Sequence, residues 1–210
     1  MFSWNRHFPY PNRFVVTGTD TGVGKTVVST LLTKHLNGTY WKPIQTGTSP
    51  ETDREFVLKE GDVHLKQVWK EAYSFELAAS PHLAARKEHQ VISFDQLLIP
   101  PVEKEPLIIE GVGGVMTPLT EETLFIDLLK FWDLPVVVVA RSTLGTINHT
   151  LLTLEALRAR KIPILGVVVN GPKNEGNVEA IEQFGRVEIL GELHPIDDFK
   201  TFWRTEKISV

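Results

Sequence analysis

The sequence contains no cysteine. Disulfide bonds, thiolate nucleophiles and cysteine-held metals are therefore excluded, and the absence fits a reducing compartment. Basic residues are not in excess, and the formal net charge is -4. Nucleic acid is not expected as a partner, because phosphate backbones select basic surfaces. Long apolar runs are missing too. The longest, residues 134–140, is strand-length and contains Pro135, whereas a bilayer-spanning helix needs roughly 20 apolar residues. No membrane partner is expected. Residues 1–14 are aromatic and broken by Pro9 and Pro11, so they lack the continuous apolar stretch of a secretion signal. The expectation is a soluble, cytoplasmic protein. The seven histidines show no metal-like spacing, and no Ser–His–Asp arrangement can be argued from residue order. Repeats, low-complexity tracts and Ser/Gly linkers are absent as well.

What remains is an ordinary globular composition, 42% hydrophobic and 23% charged over 210 residues, enough for one α/β domain with a substantial core. Apolar runs without period-2 alternation at 14–17, 40–44, 107–110, 135–140, 164–170 and 187–190 predict strands covered on both faces. Helical spacing predicts helices over 25–36 and 147–160, and shorter ones over 52–60, 123–132 and 177–184. Alternating strands and helices imply a parallel sheet with right-handed crossovers. The fold class is thus α/β, a single domain over 13–210 with a mostly parallel sheet flanked by helices, behind an N-terminal lead over 1–12. Residues 60–106 are the least regular part, and they are expected to form an insertion over the C-terminal edge of the sheet. That edge is where ligands bind in open α/β folds.

The strongest chemical signal is FVVTGTDTGVGKT at residues 14–26. A strand ends near Thr17, Gly18 to Gly24 turns the chain, and Lys25-Thr26 opens a helix. Such a loop offers a nucleoside triphosphate free backbone N–H groups, a Lys for the β/γ-phosphates and a hydroxyl for Mg²⁺. Five residues separate Gly18 from Gly24, one more than in the common P-loop spacing. Lys42 follows the second strand, beside Thr46 and Gly47, where a further anion could sit. Glu110 ends an apolar strand, where an acid is poorly solvated unless a cation is near. Asp53 is an equally good helix-start residue or a second carboxylate for Mg²⁺. After the strand near 136–140, Gly145 and Thr146 either start an anion-binding helix or form a turn capped by Thr146. Asn170 ends another strand, where its amide could meet an adenine edge. His149 and His194 are expected in loop or cap structure, and the tryptophans in packing.

Together these motifs resemble the dethiobiotin synthetase family. The matching residues are Gly18 to Thr26, Lys42-Pro-Ile-Gln-Thr-Gly47, Asp53, Ser80-Pro81-His82, Glu110 to Gly114, Pro118-Leu119, Leu144 to His149, Asn170 and Gly191-Glu192. The five-residue P-loop gap is usual in that family. The resemblance implies a P-loop NTPase-like fold and an ATP-dependent carboxylase that closes a ureido ring on 7,8-diaminopelargonate with CO₂ or bicarbonate. It implies ATP contacts from Thr19, Asp20, Thr21, Gly22, Val23, Gly24, Lys25, Thr26, Asn170 and Asp198. Lys42, Lys25 and Thr21 would be catalytic, and Thr26, Asp53 and Glu110 would hold Mg²⁺. Thr46, Ser80 and Pro81 would line the diamine pocket. Leu144, Gly145, Thr146, Ile147 and Asn148 would come from a partner subunit of a homodimer. Departures from the family pattern are Val112 for the usual Ala, Leu193-His194-Pro195 where a Pro normally sits closer to the Glu, and the aromatic lead.

Three other readings compete. A related amidating enzyme needs a glutaminase domain, for which the chain has neither room nor cysteine. A nucleotide-switch ATPase of the partitioning or cell-division type carries an extra Lys early in the P-loop, and that position here is Asp20. Such proteins often add a basic face or amphipathic tail, whereas residues 199–210 are short and mixed. An ATP-binding pseudoenzyme fits poorly with the presence of Lys25, Thr26, Lys42 and Glu110.

Overall fold

The Val- and Ile-rich runs form buried strands, as their lack of alternation predicts. A computed structural model describes residues 3–4 and 9–205 of the chain. Part of the N-terminal lead and all of 206–210 lie outside the described residues. The main sheet has eight strands in the order β1-β10-β9-β8-β2-β7-β3-β5. They are β1 (Ser3–Trp4), β2 (Arg13–Gly18), β3 (Thr39–Trp41), β5 (Val68–Trp69), β7 (Leu107–Glu110), β8 (Val136–Arg141), β9 (Ile164–Asn170) and β10 (Ile189–Leu193). Only β1, from the lead, runs antiparallel, against β10. The C-terminal ends of β2, β7 and β3 lie side by side in register.

Both faces of this sheet are covered, which is why its strands carry no polar face. On one face, Phe14, Val16, Ile108, Val137 and Val139 pack with Val28, Leu31 and Leu32 of α1 (Lys25–His35). On the other, Val15, Trp41, Ile109, Val136 and Val138 pack with residues of α4 (Phe125–Trp132) and α5 (Thr146–Ala159). Two further helices, α2 (Asp53–Glu60) and α6 (Glu175–Gly185), fall close to their expected positions.

The strand expected over 40–44 divides. Pro43 has no N–H to give to a ladder, so β3 stops at Trp41 and β4 (Ile44–Thr46) joins a second, two-stranded sheet with β6 (Tyr73–Phe75). The Pro43 carbonyl accepts the N–H groups of Ala72 and Tyr73 at 2.9 and 3.0 Å. The 60–106 segment is therefore only partly a cover over the sheet edge. It also supplies β5, which extends the main sheet sideways, and β6 with α3 (Pro81–Lys87), which pack around β4.

Residues 199–205, where the sequence pattern predicts no helix, form the short helix α7 (Phe199–Thr205). It docks on α2 through an edge-on Phe56–Phe199 contact at 5.5 Å and a 2.6 Å hydrogen bond from Trp203 Nε1 to the Glu60 carbonyl. Contact between these half-buried rings outweighs the mixed local sequence. Among the described residues, no helix is long and apolar enough to cross a membrane.

Candidate active site

The loop between β2 and α1 forms the floor of a cavity of about 1180 Å³. Gly24 precedes α1 with φ 98, and no side chain caps the helix start, so its N–H groups are left for an anion. A Cβ at Gly24 would lie 2.1 Å from Asn170 Nδ2. Glycine is required there by both conformation and space. The Asn170 amide in turn donates to the Val23 carbonyl at 2.9 Å, tying the loop to β9. Asp20 organises the other half of the loop. Its Oδ1 accepts the Thr21 N–H at 2.7 Å, its Oδ2 accepts from Arg141 Nη2 at 2.7 Å, and its carbonyl accepts from Lys25 Nζ at 2.8 Å. Thr19 lines the cavity with a hydroxyl that has no partner among the described residues.

Four side chains from separate elements meet beside the loop. The Thr26 hydroxyl of α1 lies 2.9 Å from Asp53 Oδ1 of α2 and 2.8 Å from Glu110 Oε1 of β7. Lys42, just past β3, places Nζ 2.6 Å from Asp53 Oδ2 and 3.0 Å from Glu110 Oε1, and donates to the Gly111 carbonyl. Burial opposes the Lys42 charge, but the Glu110 and Asp53 carboxylates outweigh it and raise its pKa. Burial likewise opposes the Asp53 charge, and Lys42 with Thr26 reverses that effect, holding Asp53 below the ordinary carboxylate value. Lys25 has no such pairing. Burial first, then repulsion from Lys42, lowers it to about 8. Behind Glu110, burial and the carboxylate's charge push the Tyr40 phenol well above its usual pKa.

The donor set suits a hard divalent cation. The Thr26 hydroxyl oxygen lies within hydrogen-bond distance of one oxygen each of Asp53 and Glu110, so three hard oxygens from three elements converge. Mg²⁺ favours such oxygen ligands, completed by phosphate and water. No cluster of three or more His, Cys, Asp or Glu is found among the described residues. Any cation here therefore takes few protein ligands.

Most residues singled out in the sequence share this cavity. Thr19 to Gly22, Gly24, Lys25, Thr26, Lys42, Thr46, Asp53, Ser80, Pro81 and Glu110 line it. Leu144 to Asn148 do not. Leu144 is 99% exposed, and the next turns of α5 reach the cavity instead, through His149, Leu152, Thr153 and Ala156. Thr146 does not cap α5. Gly145 holds that position with φ 92, a conformation that the β-branched Thr146 resists. Asn170 stands behind the loop, and Asp198 accepts the Thr201 N–H at the start of α7, away from the cavity lining.

Three contributors escape a reading of residue order. Gln45 takes the Asp53 N–H on Oε1 and fixes the start of α2. Arg141 fixes Asp20, and Tyr40 fixes Glu110. Gln45 lies inside the Lys42–Gly47 motif and Arg141 heads the turn before Gly145-Thr146, whereas Tyr40 reads only as strand.

A family model described as an AAA domain matches residues 12–201. The chain is 51% identical over 181 residues to an ATP-dependent dethiobiotin synthetase of Paramagnetospirillum magneticum, covering 86% of this chain and 87% of that protein. It is 46% identical over 187 residues to an ATP-dependent dethiobiotin synthetase of Brucella ovis, covering 89% and 88%. Among solved structures, it resembles a nucleotide-binding protein in complex with ADP from Archaeoglobus fulgidus, with TM-score 0.52, 14% identity and 94% and 88% coverage. It also resembles the MinC:MinD cell division protein complex of Aquifex aeolicus, with TM-score 0.51, 15% identity and 89% and 82% coverage. Those two likenesses speak to the fold alone. By its curated relatives, the chain belongs to the ATP-dependent dethiobiotin synthetase family.

Proposed function

We propose that the protein carboxylates 7,8-diaminopelargonate and closes its ureido ring at the cost of ATP, giving dethiobiotin, ADP and phosphate. The observation that carries this reading is the Lys42 ammonium set between Asp53 and Glu110 in a cavity running from the P-loop to Ser80-Pro81. At about 1180 Å³ the cavity exceeds the usual ~300–1,000 Å³ of a single-ligand site, which suits a nucleotide and a diamine side by side.

The chemistry follows in order. One amine adds to CO₂, forming a C–N bond and releasing a proton. A carbamate oxygen attacks the γ-phosphorus, the bond to the β–γ bridging oxygen breaks, and ADP leaves. The second amine attacks the carbamoyl carbon and gives up a proton, phosphate departs with its C–O bond broken, and the cyclic urea closes. Lys25, the free N–H groups of α1 and Thr21 hold the phosphates. Lys42 leaves its acids to stabilise charge on the carbamate and the transferred phosphoryl group. Thr26, Asp53 and Glu110 would hold Mg²⁺, which would supply charge neutralisation to the triphosphate. In this reading Thr46, Ser80 and Pro81 line the diamine end, and Asn170 and Asp198, which stand outside the cavity lining, would be the adenine and ribose contacts.

A homodimer completes the site in this reading. Leu152 and Met116 are exposed at the cavity lining and Leu144 is exposed just before α5, and a partner's 144–148 segment would close over the diamine carboxylate. Such an enzyme works in the cytoplasm, without nucleic acid or membrane. The test is formation of the cyclic urea from diamine, bicarbonate and Mg²⁺·ATP. Lys42→Ala is expected to lower kcat by about 10²–10³-fold. A wild-type protein that makes no product at saturating diamine overturns the reading.

A further inference from the structure

The two oxygens of Glu110 are held differently. Oε1 meets Thr26 and Lys42, whereas Oε2 accepts the Tyr40 hydroxyl at 2.8 Å. Strand register explains this division. Tyr40 lies opposite Ile108 in the β3–β7 pair. Residues 108 and 110 share one face of β7, so Glu110 is the diagonal same-face neighbour of Tyr40. Lys42, two positions after Tyr40, reaches the same carboxylate, while Trp41 between them packs into the opposite core. Glu110 and Tyr40 are 1% and 0% exposed. No water can replace the phenol, and the Tyr40 ring is held by Val57 and Val68.

We propose that Tyr40 is a positioning residue for the cation. By holding Oε2, it fixes the carboxylate plane of Glu110 and presents Oε1 alone to the point shared with Thr26 and Asp53. A carboxylate at the end of a short strand can otherwise rotate, and a rotated Glu110 would offer both oxygens and lose its alignment with the Thr26 hydroxyl. The partner behind a metal ligand commonly sets its orientation and affinity in this way. The proposal rests on Thr26, Asp53 and Glu110 being the Mg²⁺ site.

Tyr40→Phe removes only the hydroxyl and keeps the ring. The probe is Mn²⁺ binding to the full-length protein with ADP, followed by the EPR signal of free Mn²⁺. Tyr40→Phe is expected to weaken Mn²⁺ binding about tenfold or more, with metal-free ADP binding and the KM for diamine unchanged. Glu110→Gln also weakens Mn²⁺ binding, and adding Tyr40→Phe to it costs little more, because Tyr40 acts through Glu110. Wild-type affinity in Tyr40→Phe, or a full additional loss in the double variant, overturns the proposal. A wild-type protein that binds no Mn²⁺ with ADP overturns the metal reading as well. A second measurement needs no substitution that could unfold the protein. The chain has three tyrosines, so the ¹⁹F resonance of Tyr40 is assignable in 3-fluorotyrosine-labelled protein. It must shift when Mg²⁺·ADP is added, and a stationary resonance overturns the proposal.

Discussion

Lys25 and Lys42 are both buried, yet they titrate in opposite directions because only one has carboxylates in contact. Lys25, lowered from 10.5 to about 8, begins to lose its charge in mildly alkaline solution. ATP needs that charge, so kcat/KM for ATP is expected to fall as pH rises through about 8. Bound phosphates return Lys25 toward its ordinary value, so the same limb in kcat should lie higher. A pH profile of both parameters checks this, and an identical limb in both would assign it to another group. The stability signs differ as well. Charged Lys25 costs stability below its folded value, and the cost is relieved between about 8 and 10.5. Lys42, with a raised pKa, contributes stability below 10.5 that is lost as pH rises through its folded value. Asp53 contributes above 3.8 and loses that contribution as pH falls through its lowered folded value.

The same scale shows what residue order reveals. Lys25 and Thr26 are legible because their neighbours in sequence are also their neighbours in space. Asp53 is evenly balanced between helix start and cation ligand in the sequence, and the structure places it at the helix start with its carboxylate turned to Lys42. It is the first residue of α2, and it lies 2.6 Å from Lys42. Tyr40 reads as core, because its partner is 70 residues away and only strand register brings them together.

Among the elements, α2 is where local sequence bears most directly on the site. Thr52 and Glu55 form a reciprocal capping box, with the Glu55 N–H donating to Thr52 Oγ1 at 3.2 Å and the Thr52 N–H donating to Glu55 Oε2 at 2.8 Å. Asp53 is the next residue, so the cap sets where its carboxylate begins. Thr52→Ala is expected to cost about 1 kcal/mol in urea denaturation and to weaken Mn²⁺ binding with ADP. Loss of stability with unchanged Mn²⁺ binding would show that Gln45 alone holds Asp53. Buried parallel strands are the most legible elements, since their composition follows from being covered on both faces. The split of β3 from β4 is harder to see. Pro43 stands in the run, but nothing local says that the chain resumes as a strand of another sheet.

For the whole molecule, the sheet order sets β2 between β7 and β8. The P-loop therefore emerges where the chain winds away in both directions, the place where open α/β sheets bind ligands. Alternation of strand and helix was enough to predict the layers. It could not predict that α7 would brace α2, because aromatic packing between distant segments has no period. Self-association is the prediction that belongs here. Analytical ultracentrifugation should give a dimer, and activity per chain should fall on dilution below its dissociation constant. A strict monomer with full activity in dilute solution would exclude a shared site.

The joint at Lys42-Pro43 has a consequence for how such an enzyme could change its substrate. The P-loop lies before it, between β2 and α1, and the residues proposed for the acceptor side lie after it, Thr46 on the small sheet and Ser80 and Pro81 at the start of α3. Because the ladder breaks at Pro43, the strand pairing of the small sheet is independent of the large one. Exchange of β4, β6 and α3, with α2 and β5 kept, would replace the proposed acceptor pocket while leaving the triphosphate loop, its lysine and Asp53 in place. The proline thus marks a seam along which one phosphate-activating scaffold can be refitted for other nucleophiles.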